Sequence, residues 1–181
     1  ALAHSLNVPT VQLAMKVGID SIARTAELFG FGNSLPRVPS LALGAGEVSP
    51  FDLARAYAAI ANGGLLINLK PISVVMLEND PNPVSRAEWK EERVASEPAV
   101  YVLTNIMQSV IESGTGKTIR RLGFTAPAAG KTGTSNDARD AWFAGFTPRI
   151  LAVVWVGYDD NREMKLTGGQ AAAPIWAEFM K

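Results

Sequence analysis

Lys131-Thr132-Gly133-Thr134 gathers an ammonium, two hydroxyls and an unobstructed piece of backbone into consecutive positions. That set can bind an anion while main-chain N–H groups approach it closely. On a strand, alternation puts Lys131 and Gly133 on one face and Thr132 and Thr134 on the other, and the twist of an edge strand can bring all of them near one ligand. Gly130 and Gly133 also remove side chains that would hold a substrate backbone away. A second polar set, Ser5-Leu6-Asn7, spaces a hydroxyl and an amide at i, i+2, so an extended loop would point both the same way. Each set alone has a plainer reading. The first is a solvated lysine ahead of a turn, and the second is a cap or turn.

The elements that must carry these sets can be read from periodicity and punctuation. Residues 9–17 have apolar positions at helical spacing and Gly18 stops them. Asp20 is expected to cap a second short helix over 21–29, ended by Gly30, and residues 30–40 are rich in turn formers. Ser49 and Pro50 start a helix with Leu53, Ala56, Tyr57 and Ile60 on one face, which Asn62-Gly63-Gly64 terminates. Residues 65–77 read as extended with Pro71 as a break, and 78–93 as a surface loop. A helix follows over 97–112, with a glycine stop at 113–116.

The last third changes character. Residues 128–134, 141–147 and 150–158 read as strands, the latter two joined by Thr147-Pro148-Arg149. Ile150 to Val156 is apolar without alternation, which suits a strand buried on both faces. A helix over 172–181 closes the chain. The predicted class is α+β, an antiparallel sheet flanked by helices: a helical part over about 1–64 and 97–113, a sheet part over about 65–77 and 128–158, and the closing helix.

Composition narrows the function. The 181 residues include 17 basic and 17 acidic side chains, for a net charge of zero, with 48% hydrophobic residues and no cysteine. The balance argues against a nucleic-acid partner that would need a basic face. Zero cysteine removes disulfides, thiolate zinc sites and cysteine nucleophiles. The longest apolar run has 7 residues, far below the roughly 20 that cross a bilayer. No signal peptide opens the sequence, which starts without Met and reads as a piece of something longer.

Ser-x-Asn upstream of Lys-Thr-Gly is a pattern shared by penicillin-binding proteins and class A β-lactamases. With SLNVPTVQLA, LALGAGEVSPFDLARAYAAIANGG, ESGTGKTIRRLG and AGKTGTSNDARDAWFAGFTPRILAVVWVGYDD, the chain resembles the transpeptidase domain of class A penicillin-binding proteins over nearly its whole length. Asp140, Trp142, Phe143, Gly145, Trp155, Gly157 and Asp159 follow the lysine motif at the family's spacing. The resemblance implies a serine β-lactamase/D,D-peptidase-like fold and a peptidoglycan D,D-transpeptidase, in which a serine attacks a D-Ala-D-Ala bond and an acceptor amine takes the acyl group. On matching positions it implies that Ser5 relays the proton and Asn7 holds the donor amide. Lys131 supports the relay and the substrate carboxylate, while Thr132 and Thr134 bind that carboxylate beside Gly133. The Thr134 N–H serves as an oxyanion donor.

One departure stands out. The family's nucleophile lies in Ser-x-x-Lys, and no serine here is followed three residues later by lysine. The resemblance places that motif before Ala1, so the chain alone is expected not to acylate. It also implies stem peptides and β-lactams as ligands, and an N-terminal half or companion chain that supplies Ser-x-x-Lys. No cofactor or metal is expected. The implied location is the periplasmic or outer face of the bacterial membrane, with an upstream anchor.

Rival readings are a β-lactamase of the same fold and a non-catalytic domain that kept it. A β-lactamase needs a deacylating base; the acids between Asn7 and Asp52 are Asp20, Glu27 and Glu47, and Glu47 suits the helix start at Ser49 better. Gly114 to Thr118 ends like a phosphate loop but follows a helix and lacks the first glycine. His4 reads as a solvated neighbour of Ser5, Asp159-Asp160-Asn161 as a turn, and Trp142 and Trp155 as core.

Overall fold

A computed structural model describes residues 1–32, 35–78 and 80–181. A short 3-10 turn, Leu2–His4, leads into α1 (Asn7–Val17) and α2 (Ile19–Ala26). A wider π turn (Glu27–Phe31) and a 3-10 turn (Pro39–Leu43) follow. Of the turn-rich stretch 30–40, residues 33 and 34 lie outside the described residues, as does Asn79 of the expected loop. Next come α3 (Pro50–Ala61), β1 (Leu65–Ile67), β2 (Val74–Met76), β3 (Pro83–Arg86) and β4 (Glu91–Arg93). The chain continues through α4 (Glu97–Glu112), α5 (Thr118–Arg121), β5 (Ala129–Thr134), β6 (Asp140–Phe146), β7 (Leu151–Gly157) and α6 (Ala172–Phe179).

Local chemistry explains the clearest boundaries. Ser49 Oγ accepts from Asp52 N at 3.1 Å and donates to the Asp52 carboxylate at 2.6 Å, so the acid at this helix start is Asp52 and not Glu47. Gly18, at φ 94°, both ends α1 and precedes α2. Asp20 is therefore not the cap of α2; it sits in the first turn and pairs with Arg37 at 2.9 Å. The 65–77 stretch is not one strand but β1 and β2, separated by an irregular segment around Pro71. The expected loop at 78–93 holds β3 and β4, which pair antiparallel with β2 and β1.

The sheet of order β5-β6-β7 is antiparallel throughout. Helix α6 covers one face; α3 and α4 cover the other. Residues opposite each other across strands share a face, so Phe143 and Phe146, three apart on β6, serve opposite cores. Phe143 joins Ile111, Ile119, Phe124 and Trp176 on the α6 side. Phe146 joins Met107 and Ala129 on the other, with Tyr57 and Ile60 of α3 against them. Trp176 is fully buried, with Phe143 and Phe124 edge-on at 5.2 and 5.4 Å, and its indole N–H is satisfied by the carbonyls of Gly145 and Ala152, both at 3.2 Å.

Two expectations about burial are corrected here. The more deeply buried strand is β6, which is central. β7 has α6 on one face and α3 on the other, but among the described residues it pairs with a strand on one side alone and is only half-buried, despite its unbroken apolar run. Trp155 is accordingly 40% exposed, and its N–H donates to Asp140 at 2.9 Å; the buried indole is Trp176. The β6–β7 turn is the expected one. Thr147 Oγ1 accepts from the N–H groups of Arg149 and Ile150 at 3.2 and 3.1 Å.

Candidate active site

Lys131 and Ser5 meet. The ammonium of Lys131 donates to Ser5 Oγ and to the carbonyl of Thr132, the latter at 2.9 Å. Burial pushes the Lys131 pKa below the ordinary lysine range, because removing water disfavours the charged form. Ser5 reaches it from an unusual backbone. It ends the 3-10 turn in the left-handed region, φ 52° and ψ 44°, a conformation that costs a non-glycine residue about 1 kcal/mol or more. The extended-loop picture of Ser5-x-Asn7 is thereby corrected. Asn7 begins α1 instead, exposed in its first turn, because the helix starts two residues earlier than periodicity suggested.

Strand β5 behaves as alternation requires. Lys131 lies on the face toward α4 and the Ser5 turn. Thr132, opposite Phe143, lies on the α6 face with Thr134. Ser135 N donates to Asp140 O at 3.0 Å, which makes Ser135, Gly133 and Lys131 the residues that bond to β6. The main-chain groups of Thr132 and Thr134 then point the other way, toward the edge of this sheet that no strand among the described residues pairs with. An acceptor laid along that edge would meet the Thr134 N–H.

Two segments to which no site role was assigned from the sequence complete the threonine face: the glycine stop after α4, read as a helix end within the segment ESGTGKTIRRLG, and the turn at 167–170, which carries no motif. The hydroxyls of Thr115 and Thr132 are 2.6 Å apart, and Gly168 N donates to Thr134 Oγ1 at 3.0 Å. The turn at 167–170 can lie this close only because Gly168 lacks a side chain; a Cβ there would sit 2.3 Å from the carbonyls of both Gly133 and Trp142. Gly130 takes a different role from the one expected. It is buried, and a Cβ would meet the Phe143 ring at 2.7 Å, so its bareness serves core packing and not a substrate. His4 is exposed and lines a cleft of about 450 Å³ with Thr115, Lys117, Thr167 and Gln170. Among the described residues, no group of three His, Cys, Asp or Glu side chains could hold a metal ion.

Residues 1–181 match the family described as the penicillin binding protein transpeptidase domain. The chain belongs to that family. Its relatives include penicillin-binding protein 1B of Haemophilus influenzae, 35% identical over 99% of this chain and 23% of that protein. The 1B protein of Vibrio cholerae is 36% identical over the whole of this chain and 23% of its own length. These names agree with the resemblance to the class A proteins. Among solved structures, penicillin-binding protein 1A from Haemophilus influenzae superposes with a TM-score of 0.91 at 27% identity, over 99% of this chain and 33% of that one. Penicillin-binding protein A from M. tuberculosis, in an imipenem acyl-enzyme complex, gives 0.79 at 25% identity, over 99% and 46%. The chain thus spans less than a quarter of the length of either 1B relative, and the α+β arrangement is that of penicillin-binding transpeptidase domains.

Proposed function

We propose that this chain carries the substrate-reading half of a D,D-transpeptidase active site, working with a Ser-x-x-Lys nucleophile supplied by other residues of the same protein. The observation that supports this is the Lys131–Ser5 hydrogen bond beside an open strand edge. In this reading, an extended stem peptide pairs with the edge of β5, as peptides add to sheet edges elsewhere. Thr132 and Thr134 hold its terminal carboxylate, and Gly133 leaves its backbone room. The Thr134 N–H donates to the oxygen that becomes negative during attack.

Ser5 then passes the proton between nucleophile, leaving D-alanine and incoming amine. Lys131 keeps the Ser5 hydroxyl oriented and polarised, and its charge favours the nearby carboxylate. Asn7 holds the donor peptide's amide from the start of α1. A β-lactam presents a strained amide and a carboxylate in the same arrangement, so it acylates the same serine. The imipenem acyl-enzyme of the M. tuberculosis relative supports this extension. Periplasmic exposure and an anchor elsewhere in the protein accompany the reading; among the described residues no helix is long and apolar enough to cross a membrane.

The full-length protein containing this chain, incubated with a fluorescent penicillin, tests the reading. A covalent band that disappears on prior treatment with unlabelled penicillin is expected. A full-length protein that stays unlabelled would sink it, and sustained nitrocefin turnover would favour a β-lactamase. Against that rival, Asp20 and Glu27 are both paired to Arg37, each at 2.9 Å.

A further inference from the structure

Thr115 links the threonine face of the site to the turn that carries Ser5. Its hydroxyl is 2.6 Å from that of Thr132, and its backbone N–H donates to the carbonyl of Ala3, two residues before Ser5, at 3.1 Å. Gly114 beside it has no room for a side chain, since a Cβ would lie 2.1 Å from that same Ala3 carbonyl. On the other side, a Cβ on Gly169 would lie 2.5 Å from the Thr115 carbonyl, so the turn that binds Thr134 rests on Thr115 as well.

A hydroxyl carries a single proton, which decides what the pair can do. If Thr132 donates to Thr115, it offers only lone pairs to a ligand and repels a carboxylate. If Thr115 donates to Thr132, the Thr132 proton is free to point at the open edge. Only the second state suits an anion.

We propose that Thr115 is a positioning residue for carboxylate recognition: it donates to Thr132 and so turns the Thr132 proton toward the ligand's carboxylate. This rests on the transpeptidase reading above. It predicts a selective defect. Losing the Thr115 hydroxyl should weaken recognition of a ligand's carboxylate while sparing the acyl-transfer chemistry at Ser5 and Lys131, which lie on the other face of β5.

The test compares a penicillin as its free acid and as its methyl ester, measuring the second-order rate of acylation of the full-length protein. Thr115→Val keeps the shape and removes the hydroxyl; Thr115→Ser keeps the hydroxyl. In Thr115→Val the acid should react about tenfold more slowly while the ester changes less than about twofold, in line with the loss of one net hydrogen bond to a charged group. Thr115→Ser should restore the preference for the acid. If Thr115→Val does not fold, Thr115→Ala is read in the same way. An equal loss for acid and ester, or none for either, overturns the role of Thr115 but leaves the transpeptidase reading standing. A wild-type protein that neither compound acylates overturns both.

Discussion

The Lys131 ammonium donates to the Ser5 hydroxyl across 126 residues of sequence, joining a sheet edge to a tight turn at the start of the first helix. Each residue is placed by its own element. Lys131 is held on the α4 face by strand alternation, and Ser5 is lifted toward it by its left-handed backbone.

Removing the ammonium should therefore cripple acylation more than folding. In the full-length protein, Lys131→Met is expected to lower the rate of penicillin acylation by about a hundredfold to a thousandfold, the usual loss when a placed electrostatic donor is deleted. Circular dichroism should stay native. The check is a labelling time course on both proteins.

The depressed Lys131 pKa has a defined sign. Burial disfavours the charged form, so the proton leaves at a lower pH than from a free lysine, which titrates at about 10.4. If the ammonium is the working form, acylation falls on the alkaline side at a pH below that value. Lys131→Arg puts a permanently charged guanidinium there, so the variant should be slower at neutral pH yet keep its rate further into the alkaline range. Rate against pH for both proteins decides it, and an alkaline limb that Lys131→Arg leaves in place would rule Lys131 out as its origin.

Two glycines outside the lysine motif should behave as site residues. Gly114→Ala and Gly168→Ala each drive a methyl group into backbone carbonyls, at 2.1 and 2.3 Å, which cannot rotate aside. Each should cost about 1–3 kcal/mol, the usual price of overpacking, and should slow acylation further by moving the Ser5 turn or the Thr134 turn. Gly44→Ala provides the contrast. Its φ is 87° but no atom lies within 4 Å, so it should cost stability through backbone strain and leave the acylation rate alone. Thermal melts with parallel labelling separate the two effects.

Arg120 ties the end of α4 to the approach to β5. It donates to Glu112 at 2.6 Å and to the carbonyls of Phe124 and Ala126 at 2.8 and 2.9 Å. Arg120→Met should destabilise by about 2–3 kcal/mol, since two carbonyls and a carboxylate lose a charged donor. The Glu112 carboxyl is held below its usual range, chiefly by its hydrogen bond from Arg120. A depressed carboxylate pKa adds stability above the unfolded value of about 4.3 that is lost as pH falls through the folded one. Glu112→Gln should flatten that acid limb in denaturant titrations. The effect is small and shrinks with salt, because the Glu112 side chain is 55% exposed.

Much of the architecture was legible because it is local. The cap at Ser49, the apolar stripe over Glu97–Glu112 and the strands around Lys131, Trp142 and Val153 each declare themselves within one element. The misreadings share one cause, which is that neighbours in space are absent from a periodicity. The apolar run at 150–156 could not reveal that β7 would be an edge, nor could the polar stretch at 78–93 reveal that β1 and β2 would recruit strands from it. Asn7 read as loop because a helix start depends on the turn before it, and here that turn is a left-handed serine.

For the site the division is sharper. Sequence alone determined the chemistry on offer: Ser5, Asn7, Lys131, Thr132, Gly133 and Thr134, their order, and the alternation that splits Lys131 from the threonines. Only the tertiary structure decided what those groups face. Thr115, Gly114, Gly168 and Gly169 carry no reactive chemistry of their own. They matter because the chain folds their backbone and hydroxyl groups to within hydrogen-bond or contact distance of the threonine face and the Ser5 turn, and separation along the sequence does not encode separation in space.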